Sequence, residues 1–310
     1  MGGFLTAHFY YIRYGKICSR QLIKGSEPDY EHKINEKIFA DFCTSDICSV
    51  YDRLCDSVYH GNLLSFCKFT TVTDAKLVGF SNYLKVFQDP TFVHSLWYTA
   101  LFTVVSVITI NLFAFTIAML LTKAIKGTNV FRTVFFMPNL IGGIVLGYIW
   151  QLIINGVLLS FDRTLTYSAT YGFWGLVILM NWQQIGYMMI IYIAGIQNIP
   201  GELIEAAEID GASKWQILRN VTIPMLMPSI TICSFLTLTN GFKLFDQNMA
   251  LTGGAPSDKS QMLALNIFDT FYGRTGWEGV GQAKAVIFFI LVAVIALVQL
   301  RATRSKEVQQ

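Results

Sequence analysis

Residues 95–122 read SLWYTALFTVVSVITINLFAFTIAMLLT and carry no charged side chain. The hydrocarbon core of a bilayer is about 30 Å thick and an α-helix rises about 1.5 Å per residue, so roughly 20 apolar residues form one crossing. The composition agrees, since 53% of the 310 residues are hydrophobic and the mean hydropathy is +0.48. The stretch therefore predicts a helix that spans a membrane rather than the core of a soluble domain.

Four more apolar stretches follow toward the C-terminus. They are long enough to cross a bilayer and cover residues 133–155, 171–199, 228–245 and 281–300. Pro138, near the start of the first, is tolerated in a bilayer helix when neighbours satisfy the freed carbonyl. Lys284 lies near one end of the last, and we expect its side chain to snorkel to the interface. The chain is thus predicted to be an all-α polytopic membrane protein with five recognisable transmembrane helices.

The Lys and Arg residues of short loops predict the orientation of these spans, because such residues are retained on the cytoplasmic side. Basic residues mark 123–132, 200–224 and 301–310, which alternate correctly with loops at 156–170 and 247–280. We expect the loops at 156–170 and 247–280 to be external. The segment that enters the first span is then external as well, and an earlier crossing is required.

Residues 1–75 offer no such crossing, because charges recur at short intervals and leave no uncharged run of about 18 residues. Two hypotheses remain open: a shifted reading frame has overwritten the first helix, or the segment is a soluble extension. We divide the chain into this atypical segment at 1–75, a transmembrane domain at 76–301 and a cytoplasmic tail at 302–310. We expect residues 1–75 to contribute nothing specific to the transport fold.

Between the third and fourth spans lies IPGELIEAAEIDGASKWQILRNVTIPMLMP, residues 199–228. Pro200 and the glutamates that follow favour the start of a short helix, and Gly211 suits the left-handed turn that ends it. Ser213 is placed to cap a second helix, which Pro224 is expected to stop. Small side chains around the turn leave room for the backbone of another protein. The segment is therefore predicted to be a docking helix.

The spacing within this segment resembles a known motif. Glu205, Ala206 and Ala207, then three residues, Gly211, nine residues and Val-Thr-Ile ending at Pro224 are similar to the EAA motif of permease subunits in binding-protein-dependent ABC importers. The resemblance implies a coupling helix that enters a cleft of a cytoplasmic ATPase subunit. The residues so assigned to coupling are Glu205, Ala206, Ala207, Asp210, Gly211, Ala212, Ser213, Trp215 and Pro224.

Two other segments resemble the carbohydrate-type branch of that family, related to maltose and glycerol-phosphate permeases. The matching residues are Gly79, Phe80, Asn82, Tyr83, Phe87, Asp89 and Pro90, then Phe242, Lys243, Phe245, Asp246, Leu251, Thr252, Gly253, Gly254 and Pro256. Ala255 stands where that branch commonly has a third glycine. The resemblance implies the ABC importer permease fold, in which the five spans are helices two to six of an expected six. It also implies a second permease, two ATP-binding cassette subunits, an extracytoplasmic solute-binding protein and a carbohydrate solute.

Polar side chains in or beside the spans are candidates for the translocation pathway. These are Asn111, Asn139, Asn181, Gln183, Asn240, Lys243 and Asp246. Each amide either forms interhelical hydrogen bonds, which contribute about 0.6 kcal/mol, or faces the hydroxyls of a sugar. Lys243 and Asp246 are three residues apart and are expected to pair on one helix face near an interface.

Catalytic chemistry is not expected, because the sequence contains no GxxxxGK[ST], HExxH or GxSxG motif. We expect no catalytic residue, metal or cofactor in this chain, with ATP hydrolysis carried out by a separate one. Nucleic acid is excluded as a partner because the basic residues do not form a stripe interleaved with aromatics. The alternatives are a secondary transporter or channel, which would carry ionisable residues deep in its spans, and an intramembrane enzyme.

Overall fold

The computed structural model describes residues 56–123 and 127–304. The chain divides into two compact units, Met1–His60 and Gly61–Gln310. In the first unit, residues 56–60 are helical. Residues 1–55 lie outside the described part, and with them most of the segment to which the reading-frame and extension hypotheses apply.

The second unit contains a small antiparallel pair of strands, β1 (Cys67–Lys68) and β2 (Lys76–Leu77). The amide of Asn82 is buried and donates hydrogen bonds to the carbonyls of Ser65 and Cys67, both at 2.9 Å. Phe69 is buried as well. Because residues 61–75 belong to the same compact unit as the predicted spans, the domain boundary predicted at residue 75 cuts through a packed region.

The rest of the described chain is mostly helical. In chain order the helices are α1 (Ser81–Gln88), α2 (Pro90–Leu121), α3 (Thr128–Phe136), α4 (Gly143–Leu159), α5 (Ala169–Gln197), α6 (Gly201–Ile209), α7 (Lys214–Ile217), α8 (Ile223–Met225), α9 (Met227–Phe242), α10 (Asp246–Leu251), α11 (Leu263–Gly273) and α12 (Glu278–Arg304). Three of them, α2, α5 and α12, are long and apolar enough to cross a membrane. They correspond to the first, third and fifth predicted spans.

The start of α2 follows from two local signals. The Oδ1 atom of Asp89 accepts a hydrogen bond from the backbone N–H of Thr91 at 3.0 Å, which satisfies one of the free donors at a helix start. Pro90 occupies the first helical position, where its fixed φ suits the helix. The helix therefore begins several residues before the uncharged stretch at 95–122.

The second predicted span is bent rather than straight. α3, extended by a 3-10 turn at Met137–Leu140, meets α4 at 102°, and the two together are apolar enough for one crossing. Pro138 lies in this turn and Ile141 has an extended backbone, so the helix is interrupted. The bend packs on α5, where a Cβ at Gly186 would collide with the carbonyl of Phe135. Glycine at position 186 thus allows the two backbones to touch.

Pro224 does not stop the second helix of the docking segment, so that prediction is wrong. The helix continues through Pro224 and bends only at Leu226, and the limb Lys214–Met225 meets α9 at 69°. Before the proline lies a π-helical turn, in which the N–H of Ile223 bonds to the carbonyl of Leu218. The wider turn shifts the hydrogen-bond register by one residue and accommodates the proline ring.

Among the described residues, buried apolar side chains form two core clusters. The larger joins α2, α4, α5, α9 and α10. The smaller joins α1, the start of α2, α11 and α12, and consists of Val86, Phe92, Leu263, Val280 and Ala283. Lys284, next to Ala283 in the chain, has no exposed surface, so the prediction that it snorkels to an interface is wrong.

Candidate functional site

The hairpin at residues 200–217, which we name the coupling hairpin, turns through a defined motif at the end of α6. Gly211 has φ of +77°, and its N–H donates to the carbonyl of Glu208 at 3.0 Å. The N–H of Ala212 donates to the carbonyl of Ala207, also at 3.0 Å. These two bonds form a Schellman motif, which needs a residue that tolerates positive φ. The left-handed conformation predicted for Gly211 is confirmed.

The second helix of the hairpin begins with a capping box. The N–H of Gln216 donates to the side-chain oxygen of Ser213 at 3.4 Å, and the N–H of Ser213 donates to Oε1 of Gln216 at 2.7 Å. The cap predicted at Ser213 is confirmed, and Gln216 is its partner. Both sides of the turn are therefore fixed by residues of the hairpin itself.

The coupling hairpin exposes apolar side chains. None of the residues of α6 is buried. Ile209 is 86% exposed and Trp215 67% exposed, on either side of the turn at Gly211. Exposed apolar groups on a preformed element are typical of a surface that binds another protein.

The residues assigned to coupling are brought together with one exception. Those that lie on the hairpin are Glu205, Ala206, Ala207, Asp210, Gly211, Ala212, Ser213 and Trp215. Glu205 and Asp210 are exposed, with Asp210 at the end of α6. Pro224 lies apart in α8, beyond the π-helical turn, and so does not belong to the hairpin surface.

A second group of polar side chains lies where α5, α9 and α10 meet the bend between α3 and α4. Nε2 of Gln247 donates to Oε1 of Gln183 at 2.8 Å, and Nδ2 of Asn240 donates to Oε1 of Gln184 at 3.3 Å. Nε2 of Gln183 donates to the carbonyl of Ile141 at 3.4 Å. We name Gln183, Gln184, Asn240 and Gln247 the amide group.

Asn111 and Asn181 connect helices as well. Nδ2 of Asn181 on α5 donates to Oγ1 of Thr109 on α2 at 3.0 Å. The hydroxyl of Tyr192 donates to Oδ1 of Asn111 at 2.8 Å, and Nδ2 of Asn111 donates to Oγ1 of Thr237 at 3.4 Å. Of the two roles left open by the sequence, the contacts of these residues support interhelical hydrogen bonding.

The remaining pathway candidates lie at breaks between helices. Asn139 is in the 3-10 turn at the bend. α9 ends at Phe242, Lys243 caps its C-terminus, and Asp246 opens α10. The expected pairing of Lys243 and Asp246 on one helix face is therefore wrong, because the two residues lie on different elements.

Sequence reasoning missed a buried charged cluster. Nζ of Lys284 donates to Oδ2 of Asp89 at 2.8 Å, to Oδ1 of Asn266 at 2.8 Å and to Oγ1 of Thr270 at 2.7 Å. The three ammonium hydrogens thus have three acceptors. A lysine inside an apolar stretch was the available signal, but its partner Asp89 is 195 residues away. Gln247 was missed in the same way, since only its contact with Gln183 singles it out.

The segment between α10 and α11 is held by side-chain hydrogen bonds. Nδ2 of Asn248 donates to the carbonyl of Ser260 at 2.9 Å and to Oγ1 of Thr252 at 3.0 Å. Oδ1 of Asn248 accepts from the N–H of Met262 at 2.9 Å. One buried amide thereby fixes both ends of the segment 252–262.

Backbone conformation explains why alanine is tolerated in this segment. Gly253 and Gly254 have φ of +55° and +84°, in the left-handed region that favours glycine. Ala255 is not among the residues with positive φ. The third glycine of the resembling branch is therefore not required here.

The described helices include several that are long and apolar enough to cross a membrane, and an exposed hairpin joins α5 to α9. Residues 86–305 match the family of binding-protein-dependent transport system inner membrane components, and the chain belongs to this family. It is a permease subunit of an ABC importer. One relative is a probable starch degradation products transport system permease protein from Thermoanaerobacterium thermosulfurigenes, 44% identical over 258 residues that cover 80% of this chain and 88% of the relative.

A second relative and a solved structure are also similar to this chain. A trehalose/maltose transport system permease protein from Thermococcus litoralis is 29% identical over 245 residues, covering 76% of this chain and 82% of the relative. The solved structure of a bacterial ABC transporter involved in the import of the acidic polysaccharide alginate aligns with a TM-score of 0.73 at 16% identity. That alignment covers 90% of this chain and 99% of the other, and it shows a common fold.

Proposed function

We propose that this permease imports a carbohydrate, such as a sugar, polyol or oligosaccharide, and that the coupling hairpin links its movements to separate ATPase subunits. The observation that carries the proposal is the preformed hairpin with its exposed apolar side chains. Two ATP-binding cassette subunits dock from the cytoplasm, a second permease completes the pathway, and an extracytoplasmic binding protein delivers the solute. The assembly lies in the cell membrane, with residues 247–280 outside.

The hairpin suits docking because little conformational freedom is lost when it binds. The Schellman motif and the capping box fix both sides of the turn before a partner arrives. Ile209 and Trp215 then offer two large apolar anchors, and Trp is enriched among the residues that dominate binding energy at interfaces. Glu205 and Asp210 add charge at the rim.

A movement of the hairpin reaches the amide group through packed helices. Its two ends continue into α5 and, through α7 and α8, into α9, which carries Asn240. Near the hairpin, a Cβ at Gly195 of α5 would collide with the side chain of Ser229 of α9. Since the two helices are in close contact there, a displacement of the hairpin moves both. Alternating access then consists of two packed arrangements selected by the ATPases.

The chemistry of the amide group favours a neutral polar solute. Its four side chains are uncharged and offer both donors and acceptors, as the hydroxyls of a carbohydrate require. Gln183 and Gln184 are buried between helices in the state described. The two relatives named above are permeases of transport systems for starch degradation products and for trehalose and maltose, which favours the same class of solute here.

The docking proposal is tested by Trp215→Ala, with Trp97→Ala as the matched control. The two tryptophans are exposed to a similar degree, 67% and 72%, but Trp97 lies on α2. We expect Trp215→Ala to reduce co-purification with the ATPase subunits at least about tenfold, as for an interface anchor. Trp97→Ala is expected to leave it unchanged. Equal recovery of the ATPase with both variants would refute the docking role.

The solute class is tested by uptake of labelled oligosaccharides into cells that express the complete importer. Uptake must require this chain and must be competed by unlabelled carbohydrate. Gln183→Leu, which removes hydrogen-bonding capacity from the amide group, is expected to lower uptake while ATPase co-purification stays normal. Competition by amino acids but not by carbohydrates would overturn the carbohydrate assignment.

A further inference from the structure

The buried charged cluster ties together three elements that are distant in sequence. Asp89 precedes α2, Asn266 and Thr270 lie on α11, and Lys284 lies on α12. We propose that Lys284 is a positioning residue that fixes α11, and with it the segment 252–273, to the first and last spans throughout the transport cycle. This inference rests on the proposed transport function.

The cluster is not explained by stability alone. Taking two charges out of water costs free energy that their attraction repays only with good geometry, and well-packed apolar residues of similar volume are often as stable. In some proteins such buried polar contacts specify one register between packed elements. Here two directional hydrogen bonds from Lys284, to Asn266 and Thr270, fix the rotation and the height of α11 against α12, and the third joins both to Asp89.

Further contacts tie both ends of α11. At its start, the N–H of Leu263 donates to Oγ1 of Thr99 on α2 at 2.8 Å. Just after its end, Nη1 of Arg274 lies 3.6 Å from Oδ2 of Asp89, and the two side chains form an ion pair. The smaller core cluster packs the same three elements through Leu263, Phe92 and Ala283. α11 is thus held by charge, by backbone hydrogen bonding and by apolar packing at once.

The larger core differs in the bonds that cross it. Its interhelical hydrogen bonds are between neutral groups, such as Tyr192 with Asn111 and Asn181 with Thr109. Such bonds are individually weak inside a membrane, contributing about 0.6 kcal/mol each, so a rearrangement of helices that breaks one costs little. We therefore assign the rearrangements of transport to the larger core, while the charged cluster keeps α11 in place.

The experiment removes both charges together, in Asp89→Asn/Lys284→Met, so that no unpaired charge is left buried. We expect amide hydrogen exchange of residues 263–273 to accelerate about tenfold, as expected for local opening, and carbohydrate uptake to fall by a similar factor. Tyr192→Phe, which removes one neutral bond of the larger core, is the control and should not change exchange in 263–273. If the double variant fails to assemble, Thr270→Val removes a single acceptor, and a smaller acceleration of about threefold is expected.

Exchange and uptake are compared at equal amounts of assembled complex, which separates positioning from a loss of folded protein. Unchanged exchange in the double variant, or uptake equal to the parent despite faster exchange, would overturn the positioning role. Absence of uptake by the parent importer would instead count against the proposed function.

Discussion

The coupling hairpin and segment 252–273, which we name the external segment after the side of the membrane predicted for it, both connect helices through glycines with positive φ. The two are stabilised differently. The hairpin satisfies its own backbone with a Schellman motif and a capping box, and none of the residues of α6 is buried. The external segment is fastened by side chains of other elements, among them Asn248, Thr99 and Lys284. A loop that is complete in itself is free to carry contacts to a partner. A loop that is tied to the spans moves only with them.

The largest expected effect concerns the side of the membrane on which each region lies. Lys214 on the hairpin and Lys259 on the external segment are both exposed and provide a matched pair for cysteine substitution. In a background without native cysteines, we expect an impermeant maleimide to label Lys259→Cys in intact cells. Lys214→Cys should react only after permeabilisation. Strong labelling of Lys214→Cys from outside would contradict the topology.

The second-largest expected effect is the loss of stability when the side-chain hydrogen bonds of Asn248 to the external segment are removed. Asn248→Leu leaves the N–H of Met262 and the carbonyl of Ser260 without their side-chain partner in a buried site. Each such group costs about 1 to 3 kcal/mol, so we expect a lower unfolding temperature and less protein in the membrane. Thermal unfolding of the purified complex measures this. Gln216→Leu, at the exposed capping box of the hairpin, serves as the control and should change the unfolding temperature far less.

A smaller energetic effect is expected at the turn of the hairpin. Gly211→Val forces a branched side chain into φ of +77°, at a cost of about 1 to 2 kcal/mol. We expect coupled ATPase activity to fall while the unfolding temperature of the permease hardly changes. Gly211→Asn, which tolerates positive φ, should retain activity. Equal activity of the Val and Asn variants would show that the turn geometry is not used.

The smallest expected effect is that of mild acid on hydrogen exchange in the external segment, where we expect no change. Burial alone would raise the pKa of Asp89, but hydrogen bonds from Lys284 and Thr91 and the positive charge of Lys284 hold it below the ordinary value of 3.8. A lowered pKa in the folded state contributes stability that is present above 3.8 and is lost as the pH falls through the folded value. Exchange of residues 263–273, corrected for its intrinsic pH dependence, should therefore be equal at about pH 7.5 and about pH 5. A clear acceleration at the lower pH would contradict this assignment.

The hairpin could be predicted from sequence because it is determined by local signals. Features that depend on contacts between residues distant in sequence could not be predicted in this way. Gly211 and Ser213 act on their immediate neighbours, so the end of α6 and the start of α7 followed from residue type and spacing. Pro224 was misjudged because a π-helical turn a few residues earlier absorbs the proline, and no residue-type rule indicates that turn. Lys284 was misjudged because its acceptors come from α11 and from the segment before α2, which only the fold brings together.

The approach of Phe135 to Gly186 also makes the shape of the second span depend on the third. Lipid offers no partner for the backbone groups that a 102° bend frees, whereas Gly186 and the side chain of Gln183 provide the contact surface and a donor for Ile141. Because α5 follows the bend in the chain, we expect the bend to become stable only once α5 lies beside it.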